Sequence, residues 1–255
     1  MKEQTIHIDL NCDLGEHDSV QEAAIDQLIM PFISSCNVAC GGHASNPKVM
    51  AHTIDLAFQN QVCVGAHPSY PDRANFGRQP LNISPAALRD SLTEQINTLR
   101  QLVISKGHVL HHVKPHGALY NQAAEDLQLA IVLAETVAAI DENLKFYGLA
   151  NSAMQAASEQ IGLDFVAEGF IDRAYTAKGT LVPRTVAGAV ITDVALMLDR
   201  TLAWLKTGEL ESIDGQRLTI RPETLCLHGD HQQAVDVARE LNQALQAHDI
   251  VIKAA

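Results

Sequence analysis

The stretch IHIDLNCD, residues 6–13, decides the predicted fold class. Side chains along a β-strand point alternately to opposite faces, so Ile6, Ile8 and Leu10 share one face of this stretch. The other face carries only polar side chains, namely His7, Asp9, Asn11 and Asp13. Taken alone, such a strand is also typical of an antiparallel sheet with one solvated face.

The same division recurs in later β-rich stretches. The polar faces carry Cys63 and His67 in VCVGAH (62–67), His112 and Lys114 in LHHVKP (110–115), and Thr224, Cys226, His228 and Asp230 in TLCLHGD (224–230). Extension through Lys114 is favoured because Pro115 disfavours a helical conformation in the residue before it. A recurrent polar face indicates a shared environment for these strands.

Seven short β-rich runs each precede a longer helical pattern. The runs are TIHIDLN, FISSCNVA, QVCVGA, HVLHHVK, LKFYGLA, LDFVAE and TLCLHG. This alternation predicts a parallel sheet covered by helices, so the polar faces cannot all meet solvent and must meet each other. We therefore predict a single α/β domain over residues 1–255, a seven-stranded (β/α) TIM-like barrel with a polar lumen and an active site at the carboxyl ends of its strands.

Composition restricts the partners and the compartment. The 255 residues are 47% hydrophobic, and 18 Lys and Arg against 30 Asp and Glu give a formal charge of −12, which argues against nucleic acid or an anionic membrane as a partner. The five cysteines are an odd number, and the first residues lack the apolar core of a secretion signal, so a reduced cytoplasmic location is expected. The most apolar stretch, residues 127–140, is interrupted by Glu135 and is shorter than the roughly 18 apolar residues of a membrane span.

Six predicted strand ends carry reactive side chains. They are DLNCDLGE (Asp9, Asn11, Asp13, Glu16), NVACGGH (Asn37, His43), GAHPSYPDRANFGR (His67, Arg73, Arg78), VKPHGALYN (Lys114, His116, Tyr120), AEGFIDRAY (Glu168, Asp172, Arg173) and LHGD (His228, Asp230). One glycine-bearing turn with a histidine would indicate only a turn. Six at corresponding places in successive β/α units predict an active site.

A divalent-metal site is one interpretation of these residues. Asp13, His43 and His67 would supply one carboxylate and two imidazoles and leave coordination positions for water and substrate. Hydrogen-bonded histidines at the barrel rim would give the same pattern, so both interpretations stay open. Cys36 and Cys40 lack the spacing and the second pair of a structural zinc site, and we expect them to be small buried thiols.

The cations suggest how an anion would be bound. Lys114 on the inner face of a strand is costly to bury without a partner, so Asp9, Asp13 or Glu168 is expected to face it. The loop arginines Arg73, Arg78, Arg173 and Arg184 are candidates for binding a carboxylate or phosphate. The sequence contains neither common Gly-rich nucleotide motif and no GxSxG elbow, so ATP would bind through loops and arginines or on a partner protein.

Taken in order, DLNCDLGE, CNVACGGHA, GAHPSYPDRANFGR, VKPHGALYN, EGFIDRAY, LVPR and LHGD closely resemble the LamB/YcsF family, over residues 5 to about 250. The resemblance implies a β/α barrel related to glycoside hydrolases and polysaccharide deacetylases. It also implies an activity, the opening of 5-oxo-L-proline to L-glutamate by an ATP-hydrolysing 5-oxoprolinase, in which the family member works with partner subunits B and C and uses ATP and water.

This activity suggests roles for the cationic and amide side chains. We expect Arg73 or Arg78 to bind the substrate carboxylate, and Lys114 and His116 to stabilise negative charge on the lactam oxygen or its phosphate. The rest of the predicted substrate-binding set is Asp9, Asn11, Asn37, Arg173 and Asp230.

Acid–base roles complete the hypothesis. Asp13, helped by Asp9 or Glu168, is predicted to activate water as a general base, and His67 or His228 to protonate the leaving nitrogen. Two alternatives stay open: a metal-dependent amidase or deacetylase that acts alone, and a non-catalytic component that holds 5-oxoproline. A homo-oligomer is compatible with each.

Overall fold

The computed structural model describes residues 5–227 and 234–255, and the strands in these ranges build a closed barrel. The strands are His7–Leu14 (β1), Ser35–Ala39 (β2), Cys63–His67 (β3), His112–Val113 (β4), Lys145–Leu149 (β5), Phe165–Phe170 (β6), Glu209–Glu211 (β7), Arg217–Thr219 (β8), Thr224–Leu227 (β9) and Val251–Ile252 (β10). Strands β1 to β6 pair in chain order, and β9 pairs with both β6 and β1. All seven of these strands are parallel, which confirms the predicted seven-stranded TIM-like barrel.

Helices surround the barrel. They are Ala24–Ile29 (α1), Pro47–Gln59 (α2), Pro85–Ser105 (α3), Gly117–Glu125 (α4), Leu127–Ile140 (α5), Ala153–Ile161 (α6), Val194–Thr207 (α7) and Ala234–Ala247 (α8). Helices α2 and α3 begin after capping residues: the side chains of Asn46 and Ser84 accept backbone N–H bonds, and a proline follows each. Within the described ranges, no helix is both long and apolar enough to cross a membrane.

Apolar side chains cover the outside of the barrel and polar ones fill it. Ile8 and Leu10 of β1 are buried in the core shared with the helices. Asp9 and Asn11, which alternate with these residues along β1, are equally buried but point into the barrel. There they form hydrogen bonds with side chains of other barrel strands: Asp9 with Ser35, and Asn11 with Glu168. The alternation therefore separates two buried environments.

Three short strands were not predicted. β7 and β8 form an antiparallel hairpin outside the barrel, and β10 extends the sheet beside the start of β1. The indole Nε1 of Trp204 on α7 donates to the carbonyl of Ile220, 2.7 Å away, and so ties α7 to the segment after the hairpin. All five cysteines are free thiols.

Gly65 on β3 leaves room for the ring of His112. A Cβ atom at Gly65 would lie 2.1 Å from Nε2 and 2.3 Å from Cδ2 of His112. Both atoms belong to a fully buried ring that stacks on Tyr147 at 3.9 Å between centroids, so the ring has no space into which it could move. The lumen is thus filled by large rings opposite a residue without a side chain.

We expect Gly65→Ala to lower the free energy of unfolding by about 3 kcal/mol, because overpacking must displace the His112 ring. In a His112→Ala background the same substitution should cost much less, since the space is then present. Denaturant unfolding of the four proteins in this double-mutant cycle measures the difference. An equal cost in both backgrounds would contradict the steric explanation.

Candidate active site

A cavity of about 500 Å³ opens at the carboxyl ends of the barrel strands. Its volume is within the range of small-molecule sites. Barrel strands contribute Asp13 and His67 to its wall, and the connections after them contribute Glu16, Arg78, Lys114, His116 and Arg184. The predicted convergence of strand ends on one enclosed space is therefore observed for the described residues.

Lys114 places a buried positive charge at this cavity. Its Nζ lies 2.8 Å from Glu168 Oε1 and 3.0 Å from Asp13 Oδ1, and it also donates to Asn11 Oδ1 and Cys226 Sγ, each at 3.1 Å. Burial by itself would lower the lysine pKa, but Asp13, Cys226 and Glu168 together raise the pKa of Lys114 well above its ordinary value. The group is therefore an ammonium ion at neutral pH, and two of its three predicted carboxylate partners contact it.

The carboxylate of Glu168 is held by three donors. Its Oε2 accepts the hydroxyl of Tyr120 at 2.7 Å, while Oε1 accepts Asn11 Nδ2 at 2.9 Å in addition to Lys114. Burial, and then the charge of Glu168, raise the pKa of Tyr120 well above its usual value, so the phenol keeps its proton and donates it. Asn37 Nδ2 donates to Asn11 Oδ1 at 2.7 Å, which fixes the orientation of the Asn11 amide.

Asp9 lies one layer below this network. Its carboxylate accepts the hydroxyls of Ser34, Ser35 and Thr224 at distances of 2.6 to 2.9 Å. Burial raises the pKa of Asp9, and these hydrogen bonds oppose the rise. Of the predicted substrate-binding residues, Asp9, Asn11 and Asn37 are buried beneath the cavity and are not among the described residues that line it. Asn11 contacts Glu168 and Lys114, and Asn37 contacts Asp13, so these two amides support the cavity residues. Asp9 is connected to Asn11 through Thr224.

The imidazole rings of His67 and His116 also line the cavity. His67 Nδ1 donates to the carbonyl of Lys114 at 2.7 Å, and His116 Nε2 donates to the carbonyl of Phe76 at 3.0 Å. The remaining ring nitrogens, His67 Nε2 and His116 Nδ1, lie 3.0 Å apart. His67 Nε2 is also 3.4 Å from Asp13 Oδ2. The backbone bonds therefore orient both rings toward one point.

Glu16 connects this pair to His43. Its Oε1 lies 3.2 Å from His116 Nδ1, 3.9 Å from His67 Nε2 and 2.9 Å from His43 Nε2. Although burial opposes ionisation, the hydrogen bonds of His116 and His43 hold the pKa of Glu16 well below its usual range. Burial lowers the pKa of His43 to about 4. Ligand atoms of Glu16, His43, His67 and His116 lie within 4.8 Å of one another, so this group could hold a metal ion.

A left-handed turn brings the Phe76 carbonyl to His116. Phe76 and Gly77 have φ of 54° and 61°, a conformation that glycine adopts easily and phenylalanine rarely. A Cβ at Gly77 would lie 3.0 Å from His43 Cβ and 3.1 Å from His116 Cδ2. Gly77 is therefore required both by its φ and by the close approach of two histidines.

The four loop arginines occupy different places. Arg78 lines the cavity with its guanidinium 4.9 Å from the ring centre of Phe76, and Arg184 lines it from residues 171–190. Arg73 instead pairs with Asp18 at 2.8 Å and donates to the carbonyl of Ser45, outside the described cavity lining. Arg173 borders the cavity but donates to the carbonyls of Val182 and Ala189, so its guanidinium braces the long loop.

Two predicted residues, His228 and Asp230, lie outside the described residues and stay predictions. The sequence placed Glu16 and Tyr120 at strand ends without giving them a role, and it named Arg184 only among the loop arginines. Their contacts depend on how the loops fold, which the sequence pattern does not specify. The catalytic roles of Asp13, His67, Lys114, His116 and Glu168 also stay predictions.

Buried His112 makes stability depend on pH. Its Nε2 donates to Asn37 Oδ1 at 2.7 Å, and burial, followed by the charges of His111 and Lys114, lowers the pKa of His112 well below its usual value. The unfolded chain binds a proton here below pH about 6.5, whereas the folded chain resists it. Stability from this group is therefore complete above that pH and is lost as the pH falls.

We expect this residue to contribute about 2 kcal/mol to the loss of unfolding free energy between pH 7 and pH 5. Denaturant unfolding at both pH values should show a correspondingly weaker pH dependence in His112→Gln. His7→Gln, which changes an exposed histidine of β1, should keep the parental dependence. Equal pH dependence in His112→Gln and the parent would contradict the assignment.

Comparison with known proteins agrees with this architecture. The model of the LamB/YcsF family matches residues 8–255. A protein of Heliobacterium modesticaldum, named as the A subunit of 5-oxoprolinase, is 43% identical over 249 residues, covering 98% of each chain. The protein of the same name from Limosilactobacillus fermentum is 42% identical over 247 residues, covering 97% of this chain and 98% of the relative.

Solved structures with the same fold include one with substantial sequence identity. The lactam utilization protein from Thermus thermophilus superposes with a TM-score of 0.92 at 36% identity, covering 98% of this chain and 100% of that one. The T48 deacetylase, at 10% identity and a TM-score of 0.50, shares the fold alone, over 97% of this chain and 87% of its own. With a full-length family match and close relatives over nearly all of its sequence, the chain belongs to the LamB/YcsF family.

Proposed function

We propose that this chain is the A component of an ATP-hydrolysing 5-oxoprolinase and opens 5-oxo-L-proline to L-glutamate together with subunits B and C. The names of its relatives and of the Thermus thermophilus structure support a lactam substrate. The single observation that carries the proposal is the meeting of a buried ammonium, a carboxylate and an imidazole in one cavity, as Lys114, Asp13 and His67. These are the groups that opening an amide by water requires.

The need for ATP follows from the substrate. A five-membered lactam holds its amine and carboxylate products in position for reclosure, so the effective molarity of ring closure is high and hydrolysis alone is poorly driven. Phosphoryl transfer from ATP to the lactam oxygen releases ADP and gives a phosphorylated imidate. Water then adds to the ring carbon, the C–N bond breaks as the nitrogen takes a proton, and a second water converts the acyl phosphate to carboxylate and phosphate.

Arg78 and Arg184 are the best candidates for the substrate carboxylate. Both line the cavity, as does Arg173, whose guanidinium donates to the Val182 carbonyl of its own loop, whereas Arg73 pairs with Asp18 outside the described lining. A guanidinium binds a carboxylate through two parallel hydrogen bonds. In the proposed reaction these arginines orient the lactam ring with its carbonyl toward Lys114.

The remaining residues supply charge stabilisation and proton transfer. Lys114 faces the lactam oxygen or its phosphate, since its ammonium stays charged in the buried site. Asp13, 3.4 Å from His67 Nε2, is the proposed general base for water. In the chain without a bound metal ion, His67 and His116 are the candidates for protonating the leaving nitrogen. Glu168 holds Lys114 in place. His228 remains a second candidate acid outside the described residues.

Partner subunits and the nucleotide belong to the proposal. Because the sequence lacks the common Gly-rich nucleotide motifs, ATP is expected on a partner or between subunits. A cytoplasmic location, where ATP is present and cysteines stay reduced, is part of the same proposal.

A stand-alone metal-dependent amidase is the second candidate function. The group of Glu16, His43, His67 and His116 favours it, since imidazole and carboxylate are ligands of hydrolytic metal sites. A non-catalytic binding component is less well supported, because a passive pocket for so small a ligand needs few polar groups.

Glutamate release from 5-oxoproline distinguishes these functions. We expect ATP-dependent release only when the chain is mixed with its partners. In that mixture, Asp13→Asn should reduce kcat by about 100-fold or more through loss of the general base, and Lys114→Met by a similar factor through loss of charge stabilisation.

Matched controls are available on the surface. Lys145 and Asp164 form an exposed ion pair 2.7 Å long, so Lys145→Met and Asp164→Asn make the same chemical changes away from the cavity. Both should keep near-parental turnover. Circular dichroism verifies that all four variants fold. Near-native turnover in Asp13→Asn and Lys114→Met would disprove their roles, and ATP-independent activity of the chain alone would favour the amidase.

The carboxylate contact can be tested with a second substrate. Arg78→Ala should raise KM for 5-oxoproline by about tenfold or more, the loss expected for a charge-assisted hydrogen bond, while Arg73→Ala should leave it nearly unchanged. For 2-pyrrolidinone, which lacks the carboxylate, Arg78→Ala should have little effect on the rate. An equal loss on both lactams would show that Arg78 acts on something other than the carboxylate.

A further inference from the structure

His67 and His116 each point one ring nitrogen at the other. The second nitrogen of each ring donates to a backbone carbonyl, at 2.7 Å from His67 Nδ1 to Lys114 and at 3.0 Å from His116 Nε2 to Phe76. His67 Nε2 and His116 Nδ1 are 3.0 Å apart. Because the other nitrogen of each ring is committed to a carbonyl, these two atoms are the ones through which the rings can bind a metal ion.

The carboxylate of Glu16 completes a triangle of donors. The three edges are 3.0 Å between the two nitrogens, 3.2 Å from His116 Nδ1 to Glu16 Oε1, and 3.9 Å from His67 Nε2 to the same oxygen. Bonds of about 2.0 to 2.1 Å to a tetrahedral zinc ion separate neighbouring donor atoms by about 3.3 to 3.4 Å. The observed triangle is therefore of the size that one transition-metal ion requires.

The other ring nitrogens of His67 and His116 also make the contacts expected of metal-binding histidines. Histidines that bind a metal almost always donate their other N–H to a carbonyl or carboxylate, which fixes the tautomer and the ring orientation. His67 and His116 both do so. His43 does not, because its Nδ1 has no hydrogen-bond partner among the described atoms. The most economical role for His43 is to donate Nε2–H to Glu16 Oε1 at 2.9 Å and to stack on His116, with 3.7 Å between ring centres.

We propose that Glu16, His67 and His116 bind one divalent transition-metal ion, with His43 positioning Glu16 and His116. All three ligands line the cavity, whereas His43 is buried behind them, so the free coordination positions face the cavity. Asp13 Oδ2, 3.4 Å from His67 Nε2, is close enough to approach the ion as well. This set differs from the predicted trio of Asp13, His43 and His67. Imidazole ligands favour zinc, cobalt or nickel over magnesium and calcium.

Zinc binding by the untagged full-length chain tests the proposal without ATP or partner subunits. After removal of metal with a chelator, calorimetric titration should show one Zn²⁺ per chain and no comparable binding of Mg²⁺. The Co²⁺ form should show the visible absorption of a nitrogen- and oxygen-ligated ion. Because this readout needs no turnover, its failure is distinguishable from failure of the proposed function.

Variants identify the ligands. His116→Gln and Glu16→Gln should each weaken Zn²⁺ binding by about 100-fold or more, and His43→Gln by about tenfold, the lower end of the effect of supporting residues. His7→Gln, an exposed histidine of β1, should bind zinc like the parent. Circular dichroism of the metal-free proteins separates loss of a ligand from loss of the fold.

Two outcomes would overturn the proposal. One is the absence of stoichiometric Zn²⁺ or Co²⁺ binding, together with nitrogen NMR signals of a protonated imidazole, which would place a shared proton between His67 and His116. The other is equal Zn²⁺ affinity in the parent, His116→Gln and Glu16→Gln, which would place the metal elsewhere on the chain.

Discussion

A buried positive charge borders the cavity at the carboxyl ends of the barrel strands. The Nζ of Lys114 is 2.8 Å from Glu168 and 3.0 Å from Asp13, and its side chain is 2% exposed. Removing two opposite charges from water costs several kcal/mol for each ion, so the pair is tolerated only when the remaining hydrogen-bonding positions are filled. They are filled here: Tyr120 and Asn11 donate to Glu168, and Asn37 donates to Asp13. The orientation of each of these side chains therefore depends on the ion pair.

Because the ion pair needs hydrogen-bonding partners, the inside of the barrel is polar and the apolar core lies between the strands and the helices. The apolar side chains of the strands pack outward against helices, where burial of Ile8, Leu10 and their neighbours supplies the hydrophobic stabilisation. The lumen contributes specificity, because a one-residue shift of any strand would turn its polar face into the apolar layer. Large rings such as His112 then need an opposite strand position without a side chain, which Gly65 supplies. The strand register therefore determines both the packing of the lumen and the position of Lys114.

The same physics separates what the sequence could predict from what it could not. Strand alternation is a local property with a period of two, so the polar lumen and the positions of Asp13, His67 and Lys114 followed from the pattern. The contacts of loop residues depend on partners that a local pattern does not identify. Arg73 pairs with Asp18, and Arg173 donates to two backbone carbonyls within its own loop. Glu16 reaches the histidines after a turn at Gly15 with φ of 69°, which the letters DLGE alone do not specify. The hairpin of β7 and β8 is too short, at three residues a strand, to show a period.

The two sides of the cavity have different chemistry, and this division restricts the reaction. On the Lys114 side the ammonium charge is held in position by its hydrogen bonds, so it can stabilise a nearby anion through its charge. The imidazole side brings ring nitrogens of His67 and His116 close to the Glu16 carboxylate, a group that could hold a metal ion. Asp13 belongs to both, since one oxygen lies 3.0 Å from Lys114 Nζ and the other 3.4 Å from His67 Nε2. A nucleophilic water bound to Asp13 would thus lie near both Lys114, which would stabilise negative charge on the carbonyl oxygen, and His67, which would transfer the proton. The proposed reaction adds water to a polarised carbonyl and then breaks a C–N bond, and it would use both groups. Strands β1 and β3 and the segment that follows β4 bring Asp13, His67 and Lys114 to one cavity.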